Sequence, residues 1–251
     1  MDKALYIAMT GAKQNMRGQT SHANNLANVN TGGFKADFAQ ARSMPIYYGD
    51  GLPTRAYALE EQGGTNFSQG NQQETGGDLD MAINGPGYIA VQAPDGSEAY
   101  TRAGALQTDE FGALRTVTGL PVIGNGGPIT IPPAQKIEIG RDGSITIHAQ
   151  GQKADALVQI DRIKLVNPAP NTVKKSTDGL FRVMDGKDVV TAPPDINVTV
   201  NSGFIEGSNV NAVSELTGML TLARQYEMHV KMMSTVEKDS ESAARLLQLN
   251  G

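Results

Sequence analysis

Two segments at opposite ends of the chain share one spacing of apolar residues, and the stretch between them has another. From Leu5, the positions Met9, Ala12, Met16, Gln19, Ala23 and Leu26 follow at alternating steps of four and three, with only Gln19 polar. That spacing predicts a helix over residues 3–29 with a seam-like apolar stripe. Residues 210–249 repeat it through Met219, Leu222, Tyr226, His229, Met233, Val236, Ser240, Ala243 and Leu247, and Leu216, Leu220 and Ala223 widen the stripe at its start. Helices of this length would be roughly 40–60 Å long. The spacing leaves open whether the two seams cover each other within one chain or face other chains.

Between the ends, short runs alternate apolar and polar residues. They include Leu79–Ile83, Tyr88–Gln92, Ile129–Ile131, Ile137–Ile139, Ile145–Ile147, Leu157–Val166, Phe181–Val183 and Ile196–Val200. Asp-Gly pairs at 95–96, 142–143, 178–179 and 185–186 are tight-turn signals between such runs. No helical period interrupts them, so a parallel βαβ topology is not expected. Residues 36–77 hold no steady period and seven glycines, Gly49 and Gly51 among them, and read as an extended connector.

The predicted class is therefore α+β. Long N- and C-terminal α-helices, coiled-coil-like and paired in an assembly, flank an extended connector and a central antiparallel β domain. The expected divisions are 1–35, 36–77, 78–206 and 207–251. Asp2 suits the start of the first helix, and Asn28 or Asn30 followed by Gly32–Gly33 suits its end. Asn209 or Asn211 can cap the second, with Glu215 in its first turn.

Charge and composition remove several classes. The net charge is −5 and the longest basic run is Lys174–Lys175, which argues against nucleic acid as a partner. There is no Cys. No apolar run approaches the 18 residues of a membrane span, and Ala4–Met9 is too short for a secretory signal.

Candidate chemistry is sparse. His22, His148 and His229 lack metal-ligand spacing, and no metal, cofactor or small-molecule substrate is expected. Gly124-Asn125-Gly126-Gly127 leads into Pro128 and a strand rather than a helix, so it does not read as a phosphate loop. Asp78 and Asp80 are two positions apart and could share a strand face at a separation seen in sugar-cleaving enzymes. With no Trp to line a pocket, a solvated strand face is the better reading.

One segment carries more. Ser21-His22-Ala23-Asn24-Asn25-Leu26-Ala27-Asn28-Val29-Asn30-Thr31-Gly32-Gly33-Phe34-Lys35 resembles the signature of bacterial flagellar rod and hook proteins. Asn84-Gly85-Pro86-Gly87-Tyr88 and Tyr100-Thr101-Arg102-Ala103-Gly104 are similar to that family's central β domain, with Ile89 where Phe is usual. Glu206-Gly207-Ser208-Asn209-Val210-Asn211 and Arg224-Gln225-Tyr226-Glu227 resemble its C-terminal signature, with Gln225 where Ala is usual. The likeness spans the whole chain and points to the proximal-rod branch, with the distal-rod branch as the alternative.

The resemblance implies a non-enzymatic subunit of a hollow helical drive shaft, made of terminal helices inside and β domains outside. It implies export by the flagellar type III apparatus without a cleaved signal, and a place in the basal-body rod within the periplasm. The implied partners are copies of the chain itself and neighbouring rod proteins. Residues expected at subunit contacts are Leu5, Met9, Ala12, Met16, Ala23, Asn24, Asn25, Leu26, Ala27, Asn28, Thr31, Gly33, Phe34 and Lys35. On the second helix they are Leu216, Met219, Leu222, Tyr226, Met233, Val236 and Leu247. The rival from another class is a periplasmic carbohydrate-active enzyme using Asp78 and Asp80.

Overall fold

A computed structural model of the chain describes residues 3–46, 55–149, 157–186 and 188–249. The helix start at Asp2 and the glycines at 49 and 51 lie outside them. The described chain has two helices at its ends and antiparallel strands between them, α+β in class. It divides into a helical unit, residues 1–28, 36–66 and 210–251, and a β unit, residues 29–35 and 67–209.

In the helical unit, helix α1 spans Lys3–Ala27 and helix α2 spans Ala212–Leu249. Asn211 caps α2: its Oδ1 accepts from the amides of Val213 (3.1 Å) and Ser214 (3.2 Å), satisfying two donors that the helix cannot. At the end of α1 the amide of Asn28 donates to the carbonyls of Asn24 and Asn25. No non-glycine residue takes a positive φ among the described residues, so neither Asn28 nor Asn30 supplies a left-handed stop; the first positive φ after the helix is at Gly33, 71°, six residues beyond its end.

The two helices are antiparallel partners within one chain. Gly11 lies under His229, Gly18 under Leu222, and Gly218 under His22, while Asn25 meets Glu215. As one number rises the other falls by the same amount, which fixes the register. A Cβ on Gly11 would come within 2.5 Å of the His229 ring, and one on Gly18 within 2.8 Å of Leu222 Cδ1. Glycine weakens an isolated helix by about 1 kcal/mol. Here it lets a bulky side chain of the opposing helix sit against the backbone. Strands β1 (Asp37–Ile46) and β2 (Arg55–Thr65) complete the unit as an antiparallel hairpin, with a bulge between Phe38 and Gln40. Much of the stretch expected as an extended connector is thus paired strand.

In the β unit, one six-stranded antiparallel sheet contains Tyr88–Gln92, Glu98–Thr101 and Phe181–Asp185 at its centre. A three-stranded sheet contains Ala134–Ile139, Ser144–Ala149 and Leu157–Arg162. All four Asp-Gly glycines take positive φ, from 65° to 82°, in the tight turns the pairs foretell. The larger core gathers Met81, Ile83, Ile89, Val91, Leu114 and Ile145; a second gathers Tyr88, Tyr100 and Phe181. Two further pairings draw the beginning and end of this unit side by side. Gln72–Glu74 pairs with Phe204–Glu206, and Met81–Asn84 with Thr199–Ser202.

Candidate functional site

No metal cluster exists among the described residues, and the two carboxylates of the enzyme reading do not share a strand face. Asp78 lies in a turn, and the strand begins only at Met81. Asp80 is spent locally, its Oδ2 accepting from Thr75 Oγ1 at 2.5 Å. The concentration of buried polar chemistry is elsewhere, on the residues that carry the three quoted motifs.

In the helical unit the focus is Asn25, which is 2% exposed. Its side-chain amide reads the backbone of Asp37 from both sides, with Nδ2 donating to the carbonyl (2.7 Å) and Oδ1 accepting from the amide (2.9 Å). This is the pairing an additional strand residue would offer, made by a side chain. Ser21 Oγ donates to the same carbonyl at 3.1 Å. Nδ2 also reaches Glu215 Oε2 (3.2 Å), which lies 2.5 Å from His22 Nδ1. Ser21, His22 and Asn25 thereby bind the first residue of β1 and the first turn of α2 to the last turns of α1.

In the β unit the focus is Glu206, which is wholly buried with Lys35; Arg102 is 4% exposed. Glu206 Oε1 accepts from Lys35 Nζ at 2.5 Å and from the Gly70 amide at 3.0 Å. Its Oε2 accepts from Arg102 Nε at 2.7 Å. Arg102 Nη1 and Nη2 donate to the carbonyls of Gly87 and Gly85, both at 3.0 Å, and Lys35 Nζ also donates to Ser68 O at 2.8 Å. Every group of the cluster is partnered, which is the condition for tolerating buried charge. Burial holds the Lys35 ammonium below its usual pKa, and the Glu206 carboxylate counters that.

Backbone contacts close the same joint. The Gly33 amide donates to the Glu206 carbonyl (2.8 Å) and the Asn209 amide to the Phe34 carbonyl (3.3 Å). Gly33 lies so tightly on the backbone of Arg102 and Ala103 that any Cβ would collide, at a φ of 71° that already favours glycine. Lys175 Nζ sits 3.8 Å over the Phe34 ring and donates to the Lys35 carbonyl at 2.8 Å.

The expected contact residues differ widely in their exposure within the single chain. Ala12, Asn25, Gly33 and Lys35 are buried inside their own units. Leu222, Met219, Met233 and Val236 are half-buried, and Leu222 is occupied by Gly18 of the same chain. Leu5, Leu26, Asn28 and Phe34 are also half-buried. Met9 (51%), Met16 (59%), Leu216 (47%) and Tyr226 (37%) are exposed, as are Ala23, Asn24, Ala27 and Thr31. The side chain of Leu247 lies outside the description.

The inner seam of α1 runs through Ala8, Gly11, Asn15, Gly18, His22 and Asn25, one residue from the apolar spacing read in the sequence. Glu206 and Arg102 carry the joint without having been singled out. The signal for them was available: each of the three motif regions brings a charged residue, Lys35, Arg102 and Glu206, to one place.

Comparison with known proteins agrees with these regions. The model of the flagella basal body rod protein matches residues 5–35, that of the flagellar hook protein FlgE/F/G D1 domain residues 82–147, and that of the flagellar basal body rod FlgEFG protein C-terminal residues 201–246. Over 253 residues the chain is 38% identical to the flagellar basal-body rod protein FlgF of Escherichia coli, covering 100% of both. It is 36% identical to FlgF of Caulobacter vibrioides over 98% of each chain. It is also 36% identical to the flagellar basal-body rod protein FlgG of Agrobacterium fabrum, over 98% of this chain and 100% of that one.

Proposed function

The chain belongs to the flagellar basal-body rod protein family, whose members are structural proteins rather than enzymes, and from that premise we propose that it is a subunit of the proximal rod. The observation that carries this reading is the end-to-end likeness to FlgF, together with the joint: the motifs the family models match at the two ends are mates in one chain. Asn25 meets Glu215, and Lys35 meets Glu206. A chain whose two signatures bind each other presents a helix pair and a β unit as finished parts for polymerisation.

In this reading copies associate through the stripe of α1 that α2 leaves uncovered, Met9, Met16 and Ala23, and through the exposed Leu216 and Tyr226 of α2. The rod transmits torque, the chain reaches the periplasm through the flagellar type III apparatus without a cleaved signal, and its neighbours are itself and other rod proteins. The distal rod is the second reading, favoured by the FlgG relative. The test is deletion in a motile bacterium. Cells should lose swimming and regain it with the full chain, and the labelled subunit should lie at the membrane-proximal end of isolated rods. Label confined to the distal end would transfer the chain to the other segment, and undiminished swimming of the deletion strain would end the rod reading.

A further inference from the structure

Phe111 is the most exposed large apolar side chain described, at 88%. Its loop is nonetheless stiff. Asp109 Oδ1 accepts from the amides of Phe111 (2.9 Å) and Ala113 (2.8 Å), Oδ2 accepts from Arg115 Nε (2.8 Å), and Gly112 turns at φ 79° with its amide on the Asp109 carbonyl. An aromatic on a preordered loop costs little backbone ordering on docking, and aromatic side chains contribute strongly to interface energies.

The same β unit carries a groove of about 630 Å³ whose wall includes Pro168, Val183, Val190, Pro193, Pro194 and Ile196. Its single acid, Asp195, is turned onto Asn197, accepting from the amide and from Nδ2 at 2.9 Å each. The wall is therefore mainly apolar and proline-stiffened, and its one carboxylate is held by the neutral donors of Asn197. Beside Phe111, Glu110 is exposed and makes no ion pair among the described residues; Lys174, exposed and likewise unpaired among them, stands two residues from the groove residue Thr172.

We propose that Phe111 of one copy seats in the 167–196 groove of a second copy, with Glu110 against Lys174. Knob and groove share no residue, so the contact is head-to-tail, the kind that repeats into an open helical array rather than closing a dimer. An aromatic side chain covers roughly 150–250 Å², well short of the about 1,000 Å² of a stable interface. The contact therefore acts where other surfaces already hold copies together. This inference rests on the rod-subunit reading.

The lack of cysteine permits a clean test. Full chains carrying both Glu110→Cys and Lys174→Cys replace the native copy in a motile strain, and isolated basal bodies are oxidised. A ladder of chain-to-chain multimers is expected, with each single-cysteine chain giving none at the ladder positions. Adding Phe111→Ser, or independently Ile196→Glu in the groove, should cut the ladder at least tenfold while each purified chain keeps its circular dichroism. Rods that assemble but give no ladder, a ladder indifferent to both substitutions, or a product joined to a chain of another size would each overturn the proposal. Restored swimming by the unsubstituted chain in the same strain keeps the rod-subunit reading apart from these results.

Discussion

The two polar ties made by the signature run are built from different chemistry. In the helical unit Asn25 holds a backbone with a neutral amide, helped by Ser21 and by a His22–Glu215 contact whose histidine is about one-third exposed. In the β unit Glu206 holds Lys35 and Arg102 almost entirely away from solvent. A tie of the first kind can be lost and partly replaced by water. One of the second kind cannot, because breaking it leaves a charge in the interior. The comparison predicts a rigid β unit and a helical unit whose pairing yields first.

The largest effect should follow Glu206→Gln, which leaves Lys35 and Arg102 without a counter-charge. We expect a loss of about 3–5 kcal/mol, read by denaturant unfolding. A loss below about 1 kcal/mol would show that the charges relax to solvent and would erase the contrast between the ties.

The β unit should also respond to alkali. Burial raises the Tyr88 hydroxyl to about 12 and pushes Tyr100 up as well, with Tyr100 donating to Glu98 and accepting from the Ala192 amide. A raised folded pKa means that the contribution is whole below pH 10, the usual value, and disappears as pH climbs through the folded value. For Tyr88 that window is pH 10 to about 12, and the full loss is roughly 2–3 kcal/mol. Unfolding midpoints measured from pH 9 to 12 should fall less steeply in Tyr88→Phe, and parallel curves would remove the assignment.

In the helical unit, Gly18→Leu drives a side chain into Leu222 and should cost about 1–3 kcal/mol. Asn25→Leu removes both side-chain hydrogen bonds to the Asp37 backbone and should cost a similar or smaller amount, about 1–3 kcal/mol. Protease should then cut within α1 and the hairpin while the β unit survives. Asn28→Leu removes the side-chain hydrogen bonds to Asn24 one turn back and should leave the digestion pattern unchanged; equal sensitivity in the two Asn variants would contradict the separate roles.

Much of this was legible in the sequence. The two helices, the antiparallel strands and the Asp-Gly turns followed from periodicity and turn chemistry. The partner face of α1 did not, and the reason is physical. Counting apolar residues favours Met9 and Met16, whereas the closest helix approach is made where side chains are smallest, at Ala8, Gly11 and Gly18. Periodicity records hydrophobicity and is blind to that preference. The hairpin at residues 37–65 was hidden because exposed strands such as Arg42–Pro45 carry no apolar alternation to a core. The motif regions pointed to the places of the buried joint but not to its pairing, because Lys35, Arg102 and Glu206 are far apart in sequence and each alone reads as a surface charge.

The smallest stability effect belongs to the face that the periodicity did select. Met9 and Met16 lie one residue from the inner seam, and α2 leaves them exposed. Met9→Ser with Met16→Ser should change folding stability by no more than about 0.5 kcal/mol, as exposed substitutions do. If that stripe is where another subunit lies, the same pair of changes should abolish rod assembly in a chain that folds and is exported. Gly18→Leu should act in the opposite order, with stability lost first and assembly lost only as a consequence. The two variants therefore separate the neighbouring faces of one helix. Normal swimming by the double serine variant would return the outer stripe to ordinary solvent-facing surface, and would leave the N-terminal helix its contacts within the chain, to α2 and to the start of β1.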